Sequence, residues 1–253
     1  MFWILFNLII FLFGLLIGSF LNCLIYRLEE GRSFLKGRSF CPRCKHELQW
    51  QDLIPIFSFL ILRGKCRYCS QKISLQYPLV ELATGLLFVS FFIFHFSFFI
   101  FIIACFLIII FVYDLKYYLI PDKIIYPAIA VTFLYQLFRI SDFKLLVNPL
   151  LSALPASLFF LTIVLVSRGK WMGVGDIKLA FFIGLFLGWP NILVALFLAF
   201  FIGAIIGVGL IVTGKKTLKS EVPFGPFLVA GTFMAMFWGQ NIINWYLNFC
   251  AGL

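Results

Sequence analysis

Charged side chains are scarce in this sequence of 253 residues. Asp, Glu, Lys and Arg together make up 12% of the chain, whereas 63% of its residues are hydrophobic and the mean hydropathy is +1.09. So little charge excludes an ordinary soluble globular domain, which carries about twice as much. The composition therefore indicates an integral membrane protein.

Long apolar runs recur along the chain. A helix needs about 20 apolar residues to cross a hydrocarbon core of about 30 Å. The run at 177–189 is shorter than this, and only a few turn-forming residues separate it from the next run. We predict an all-α polytopic membrane protein with about eight transmembrane helices, at 2–25, 78–95, 97–113, 124–140, 148–166, 177–189, 191–213 and 226–247.

The positive charges are distributed unevenly among the loops. If the first helix runs inward, 18 of the 20 Lys and Arg lie on the inner side, and only Arg139 and Lys144 do not. This bias follows the positive-inside rule and places the amino terminus outside. The net charge of +10 then sets orientation and meets anionic headgroups, so no nucleic-acid partner is expected. A cleaved signal peptide is the alternative for the first run, but a basic start and a small-residue cleavage site are lacking.

Two CxxC pairs lie in the first inner loop. They are separated by 21 residues, a spacing typical of two knuckles that complete one tetrahedral zinc site. Two disulfides are the alternative, although an inner loop lies in a reducing compartment. We expect a structural zinc site formed by Cys41, Cys44, Cys66 and Cys69, and packing roles for Cys23, Cys105 and Cys250.

These features divide the chain into three parts. A first transmembrane helix at 1–25 precedes a small cytoplasmic domain at 26–77 that holds the cysteine pairs. A membrane domain of seven helices at 78–253 then carries the carboxylates described next.

A short polar interruption at 173–178 contains Asp176. An aspartate at the start of a membrane helix is costly to keep and is functional by default. Gly173 and Gly175 allow a second chain to lie close against the loop, in the manner of an added strand. The alternative is an N-cap aspartate followed by Lys178, whose side chain reaches the membrane surface.

A second aspartate, Asp114, follows an unbroken apolar run and is the best partner for Asp176. Two carboxylates close together in a low dielectric share one proton, so the pair is acid and base at once. Such a pair can activate water against a peptide carbonyl without a covalent intermediate. A cation or proton transporter is the rival interpretation, although its site is expected nearer the membrane midplane. A zinc-tethered scaffold, which would tolerate Asp176→Asn, is a third.

For several other polar or small residues we predict structural roles. Glu81 is placed in the first turn of the second helix as a cap, with a role in the site as the alternative, and Asp122 is placed in the first turn of the fourth. Gly203 and Gly207 form a small-xxx-small pattern that predicts close helix packing. The run at 222–227, rich in Pro and Gly, is expected to be a structural turn, with a re-entrant wall as the alternative.

The motifs resemble those of the type IV prepilin peptidases, a family of intramembrane aspartyl proteases. The stretch 173–176 matches the GxGD signature, and further matches occur at 18–22, 26–27, the two CxxC pairs, 77–81, 114–122 and 223–227. The resemblance implies that Asp114 and Asp176 are catalytic, and that Gly173, Gly175 and Lys178 form or support the substrate loop. It also implies that Cys41, Cys44, Cys66 and Cys69 bind the family's metal.

The resemblance also implies an activity and a location. Members cleave the basic leader of prepilins or pseudopilins after a glycine, at the cytoplasmic side of the bacterial inner membrane, and need no cofactor for proteolysis. Many also methylate the new amino terminus with S-adenosylmethionine. No glycine-rich nucleotide fingerprint follows a strand in this sequence, so the methyl transfer depends on the resemblance alone.

Overall fold

The computed structural model describes residues 2–33, 37–139, 147–214, 216–217 and 220–251. Within these ranges the chain is helical, and strand-like pairing is limited to two isolated bridges. The predicted outer loop around Lys144 lies outside the described residues. The all-α prediction is confirmed by eight long helices and the five-residue α2: α1 (Phe2–Glu29), α2 (Phe57–Ile61), α3 (Gln76–Ile93), α4 (Phe98–Tyr117), α5 (Asp122–Arg139), α6 (Val147–Ser167), α7 (Val174–Leu187), α8 (Asn191–Val212) and α9 (Gly225–Ala251).

Six of the long helices in the described ranges are long and apolar enough to cross a membrane. The other two are α5, which carries Asp122, Lys123 and Arg139, and α7, which has only 14 residues. At 1.5 Å per residue α7 is about 21 Å long, shorter than a hydrocarbon core of about 30 Å.

Several helix bounds differ from the prediction, and two of the differences move carboxylates relative to the helices. Because Pro78 is tolerated in a first turn, α3 begins at Gln76, and Glu81 therefore lies in the second turn and not the first. Helix α4 continues to Tyr117, so Asp114 lies inside the helix and not in the loop after it.

The chain divides into two compact units, Met1–Ile109 and Ile110–Leu253. In the first unit α1 and α3 pack as an antiparallel pair. Asn22 donates a hydrogen bond to the carbonyl of Tyr77, and a Cβ on Gly18 or on Gly14 would lie 2.7 Å from the α3 backbone. Small residues one turn apart therefore let the two backbones approach closely.

We expect Gly14→Leu to destabilise this pair by about 1–3 kcal/mol, because the added side chain meets the Gly85 backbone and the helices must separate. Thermal unfolding in detergent measures the effect. Gly207→Leu is the matched control, since a Cβ there has nothing within 4 Å. An equal loss of stability in both variants would contradict the predicted packing.

In the second unit α7 is the central helix. It packs against α5, α6, α8 and α9, and its buried residues face all directions. A Cβ on Gly184 would lie 2.6 Å from Cα of Ala153 in α6, so the two backbones are in direct contact. An apolar helix that is buried all round is surrounded by protein and not by lipid. Its length therefore need not match the thickness of the hydrocarbon core.

The ends of α7 are held by specific groups. The helix is preceded by Gly173 in an extended conformation and is followed by Gly188, whose φ of 67° is left-handed. The buried Gln136 of α5 donates from Nε2 to the carbonyls of Leu185 and Phe186 at 2.7 and 3.1 Å. These bonds satisfy carbonyls that a helix end leaves without partners, and they fix the height of α7 beside α5.

The contact between α8 and α9 uses small residues only in part as predicted. Gly203 lies against Phe227, but a Cβ on Gly207 would contact nothing within 4 Å. Gly231 of α9 makes the closer approach, to the backbone at Ala195. The prediction of close packing is therefore correct for Gly203 and wrong for Gly207.

Candidate active site and metal centre

Asp114 is buried near the end of α4, with 5% of its surface exposed. Its Oδ2 accepts a hydrogen bond of 2.9 Å from the backbone amide of Gly225, the first residue of α9. Amides in the first turn of a helix have no partner within the helix and carry partial positive charge, so they bind carboxylates well. A Cβ on Gly225 would lie 2.5 Å from the same oxygen, which leaves room for glycine alone.

Asp176 is buried in the first turn of α7, with 8% of its surface exposed. Its Oδ2 accepts a 3.1 Å hydrogen bond from the amide of Gly173. Gly173 is the residue that caps the helix, so the N-cap alternative for Asp176 is wrong: the aspartate reaches back from the third helical position. The negative charge of Asp114 acts on Asp176. The structure thus buries both predicted carboxylates, close enough for the charge of one to act on the other.

The residues around Asp176 divide into a packed and an open part. Gly175 is packed, since a Cβ there would lie 3.0 Å from Cβ of Ile120. Gly173 and Val174 are exposed and form the open edge of the loop. Among residues 173–176, the exposed surface therefore belongs to Gly173 and Val174.

Lys178 pairs with Asp122 and not with the buried carboxylates. Its Nζ lies 2.6 Å from Asp122 Oδ1 and 5.0 Å from the ring centre of Tyr126. Asp122 lies in the first turn of α5, as predicted. The ion pair therefore joins the first turn of α5 to the second turn of α7.

The four predicted metal ligands form a compact cluster. The Sγ atoms of Cys41, Cys44, Cys66 and Cys69 all lie within 4.8 Å of one another, and those of Cys41 and Cys69 are 3.9 Å apart. A tetrahedron with metal–sulfur bonds of about 2.3 Å has edges of about 3.8 Å. All four cysteines are free thiols, so the disulfide alternative is wrong. The cluster is compact enough to hold a tetrahedral metal ion.

The two cysteine pairs belong to equivalent knuckles, offset by 25 residues. In each knuckle the amide four residues after the first cysteine donates to that cysteine's carbonyl at 2.9 Å, and the donating residue is left-handed. An isolated bridge closes each knuckle, Phe40 with Glu47 and Lys65 with Lys72. Two copies of one turn thus supply two thiols each.

Polar and aromatic contacts hold the second knuckle in place. Asp52 accepts hydrogen bonds from Arg67 Nε at 2.7 Å and from the Tyr68 hydroxyl at 3.1 Å. Burial alone would raise the pKa of Asp52, but the hydrogen bonds from Arg67, the Gln49 amide and Tyr68 lower it below its ordinary value. The ring of Tyr68 also lies 3.7 Å from that of His46 in the first knuckle. Asp52 is therefore a structural carboxylate.

Comparison with known proteins agrees with these sites. Residues 12–95 match the bacterial peptidase A24 N-terminal domain, and residues 101–208 match the type IV leader peptidase family. A prepilin leader peptidase/N-methyltransferase of Bacillus subtilis (strain 168) is 36% identical over 248 residues, which cover 96% of this chain and 99% of the relative. One of Aeromonas hydrophila is 33% identical over 278 residues, covering 97% and 95%. The chain belongs to the type IV leader peptidase family.

The membership confirms the resemblance that the motifs predict. In this member of the type IV leader peptidase family the cysteine cluster lies within the amino-terminal match, and Asp114 and Asp176 lie within the second match. The comparisons give the transporter alternative no support. None of the solved structures compared matches the chain.

Gly225 is the site residue that sequence reasoning missed. The sequence predicts a structural turn at 222–227, but this segment provides the amide that holds Asp114. The signal was the glycine between two prolines, Pro223 and Pro226, beside a long apolar run. A glycine between two prolines indicates a constrained turn but does not indicate what the turn contacts.

Proposed function

We propose that this chain is a membrane aspartyl endopeptidase that removes the leader peptide of type IV prepilins or pseudopilins. The observation that carries the proposal is the pair of buried carboxylates, Asp114 and Asp176, each oriented by a glycine amide. The names of the relatives, prepilin leader peptidase/N-methyltransferase, supply the substrate class.

The pair performs the reaction by acid–base chemistry. The ionised carboxylate takes a proton from water as the water attacks the peptide carbonyl, and the protonated one donates a hydrogen bond to the carbonyl oxygen. That proton then passes to the leaving amine, which separates leader from mature chain. Because Gly225 and Gly173 hold both side chains, the reacting oxygens need no reorganisation during the reaction.

We assign substrate binding to the open edge of the loop before α7. Gly173 and Val174 are exposed next to Asp176, so an extended peptide can lie along them by strand-like pairing. Gly175 supports the loop by packing on Ile120. Lys178 supports it through the ion pair with Asp122.

The four cysteines would hold a structural zinc ion. A site with four thiolates has no open coordination position, so the ion supplies folding energy and no step of the proteolysis. We place this site in a cytoplasmic domain at 26–77 and the carboxylates in a membrane domain at 78–253. The excess of Lys and Arg in the inner loops supports this orientation in the bacterial inner membrane.

We further propose that the enzyme methylates the new amino terminus, with S-adenosylmethionine as the methyl donor. The relatives' names support this second activity. No residue of this chain is assigned to the donor.

Purified protein in liposomes, incubated with a prepilin, tests both activities. Mass spectrometry should show a product that begins after the leader glycine, heavier by one methyl group when S-adenosylmethionine is present. A variant with both Asp114→Asn and Asp176→Asn is the control. Cleavage that persists in this variant, or no cleavage by the wild type, would overturn the proposal.

We expect Gly225→Ala to lower kcat for cleavage about 100-fold with little change in KM. The methyl group would meet Asp114 Oδ2 and displace the carboxylate, and a displacement of about 1 Å is enough for such a loss. The measurement is the rate of leader removal at several substrate concentrations. Gly207→Ala, with nothing near its Cβ, should behave as wild type, and a wild-type kcat in Gly225→Ala would show that the amide does not position the base.

A further inference from the structure

The segment between the two cysteine pairs contains an apolar run that the proposed chemistry does not use. Residues 53–62 have the sequence LIPIFSFLIL, in which Ser58 is the single polar residue. A run of about ten apolar residues is too short to span a membrane and is typical of a core helix or of a re-entrant segment. No residue of α2 is buried, and Trp50 and Ile61 are 72% and 75% exposed. A core helix is therefore excluded.

A hydrogen bond fixes the height of this segment beside the first transmembrane helices. The amide of Ile56 donates to Glu81 Oε2 at 2.8 Å, and Glu81 lies in the second turn of α3. Gly18 of α1 lies against the backbone of Glu81, because a Cβ there would be 2.7 Å from Cα of Glu81. Gly18 and Cα of Glu81 are thus at one level of the helix pair, and the Ile56 amide lies within reach of the Glu81 side chain from that level.

The aromatic residues of α1 indicate how deep that level lies in a membrane. Trp3 and Tyr26 are near the two ends of α1, where aromatic residues mark the membrane interfaces. Gly18 precedes Tyr26 by eight residues, which is about 12 Å along a helix. Each interfacial layer is only about 5–8 Å thick. The level of Gly18 and Glu81 Cα is therefore expected below the headgroups, and Ile56 is bound to the side chain that starts from it.

The backbone of the segment suits an environment without water. Ile56 has φ 61° and ψ −50°, a turn conformation that leaves its amide outside any helix, and Glu81 supplies the missing acceptor. An amide without a partner would cost several kcal/mol in lipid. Neighbouring donors are satisfied within the segment: Phe57 by the carbonyl of Pro55, Ser58 by Ile54, Leu60 by Ile56 and Leu62 by Ser58.

We propose that residues 53–62 form a re-entrant segment inserted among the lipid acyl chains, turning at Pro55–Ile56 and held at its depth by Glu81. The charged residues Asp52 and Arg63 stand at its two ends, where the chain returns to the surface. The rest of the domain at 26–77 stays on the cytoplasmic side, and the segment anchors both knuckles of the metal centre at the membrane, because each knuckle adjoins one end of it. The exposed side chains of Phe57, Leu60 and Ile61 meet lipid.

Lipid photo-crosslinking tests this proposal without the use of enzymatic activity. A diazirine amino acid is placed at Ile61 of the full chain in phospholipid vesicles, and at the exposed Lys72 of the second knuckle as the matched control. We expect about tenfold more lipid adduct at position 61 than at 72. Equal yields, or crosslinks from position 61 to a second copy of the chain or to an added prepilin, would overturn it. The outcome does not depend on whether the chain cleaves prepilins.

A second experiment tests whether the hydrogen bond to Glu81 holds the segment at its depth. With the probe at Ile61, Glu81→Gln retains an acceptor for the Ile56 amide, whereas Glu81→Leu does not. We expect the lipid adduct to persist in the glutamine variant and to fall severalfold in the leucine variant. An unchanged adduct in Glu81→Leu would show that Glu81 does not hold the segment at depth.

Discussion

Asp114→Asn and Asp176→Asn each lower the rate of prepilin cleavage by at least about 10⁴-fold, and the double variant is no slower than either single variant. Both carboxylates are needed in every turnover, since one must be ionised when the other is protonated. An asparagine can neither take a proton from water nor give one to the leaving amine. Leader removal, followed over a wide range of enzyme concentrations, measures the losses.

The fold should survive both substitutions. The carbonyl oxygen of an asparagine can still accept the amide of Gly225 or of Gly173, and neither site must then hold a charge. Thermal unfolding midpoints close to wild type are therefore expected. They separate a loss of chemistry from a loss of structure.

Asp122→Asn is the matched control for the pair. It removes a carboxylate eight residues after Asp114 and weakens a partly exposed ion pair with Lys178, which stabilises by about 1 kcal/mol or less. Its cleavage rate should stay within about tenfold of wild type. Near-normal cleavage by either of the other two variants would exclude the shared-proton pair.

Replacing Cys41 and Cys69 together by Ser is expected to abolish metal binding and to unfold both knuckles. Each knuckle then keeps one thiol, too few for a tetrahedral site, and a zinc site of this kind contributes about 10–16 kcal/mol to folding. Metal analysis should fall from one equivalent to none. Limited proteolysis should begin at Lys and Arg residues between 37 and 72, which the folded module protects.

Cys250→Ser is the control for the metal centre, because Cys250 is exposed and lies outside the cluster. It should retain full metal content and resistance to protease. Fewer than about 0.5 equivalents of zinc in the reduced wild type would contradict the assignment.

The helices and the carboxylate pair were predictable because each depends on a strong local signal. Runs of about 20 apolar residues can satisfy their backbone in a membrane only as helices. An aspartate at the border of such a run, as at Asp114 or Asp176, is costly enough to indicate a function. The paired CxxC spacing is similarly restrictive for metal binding.

What the sequence did not reveal depends on contacts between distant residues. The amide that holds Asp114 comes from a residue 111 positions away, and apolar periodicity carries no information about it. Glu81 was expected to cap α3, because a helix start is uncertain by about one turn when proline occupies the first turn. Its contact with Ile56, 25 residues earlier, is visible only in the folded chain.

Because α7 is short, its aspartate and the start of α5 lie at different heights along the two helices. Gln136 aligns the far ends of α5 and α7, and Asp122 lies 14 residues before Gln136 whereas Asp176 lies nine before Leu185. At 1.5 Å per residue, Asp176 is therefore about 7 Å farther from the surface than the charged start of α5. We therefore expect the carboxylates to act on a peptide bond that a membrane anchor brings to the level of Asp176.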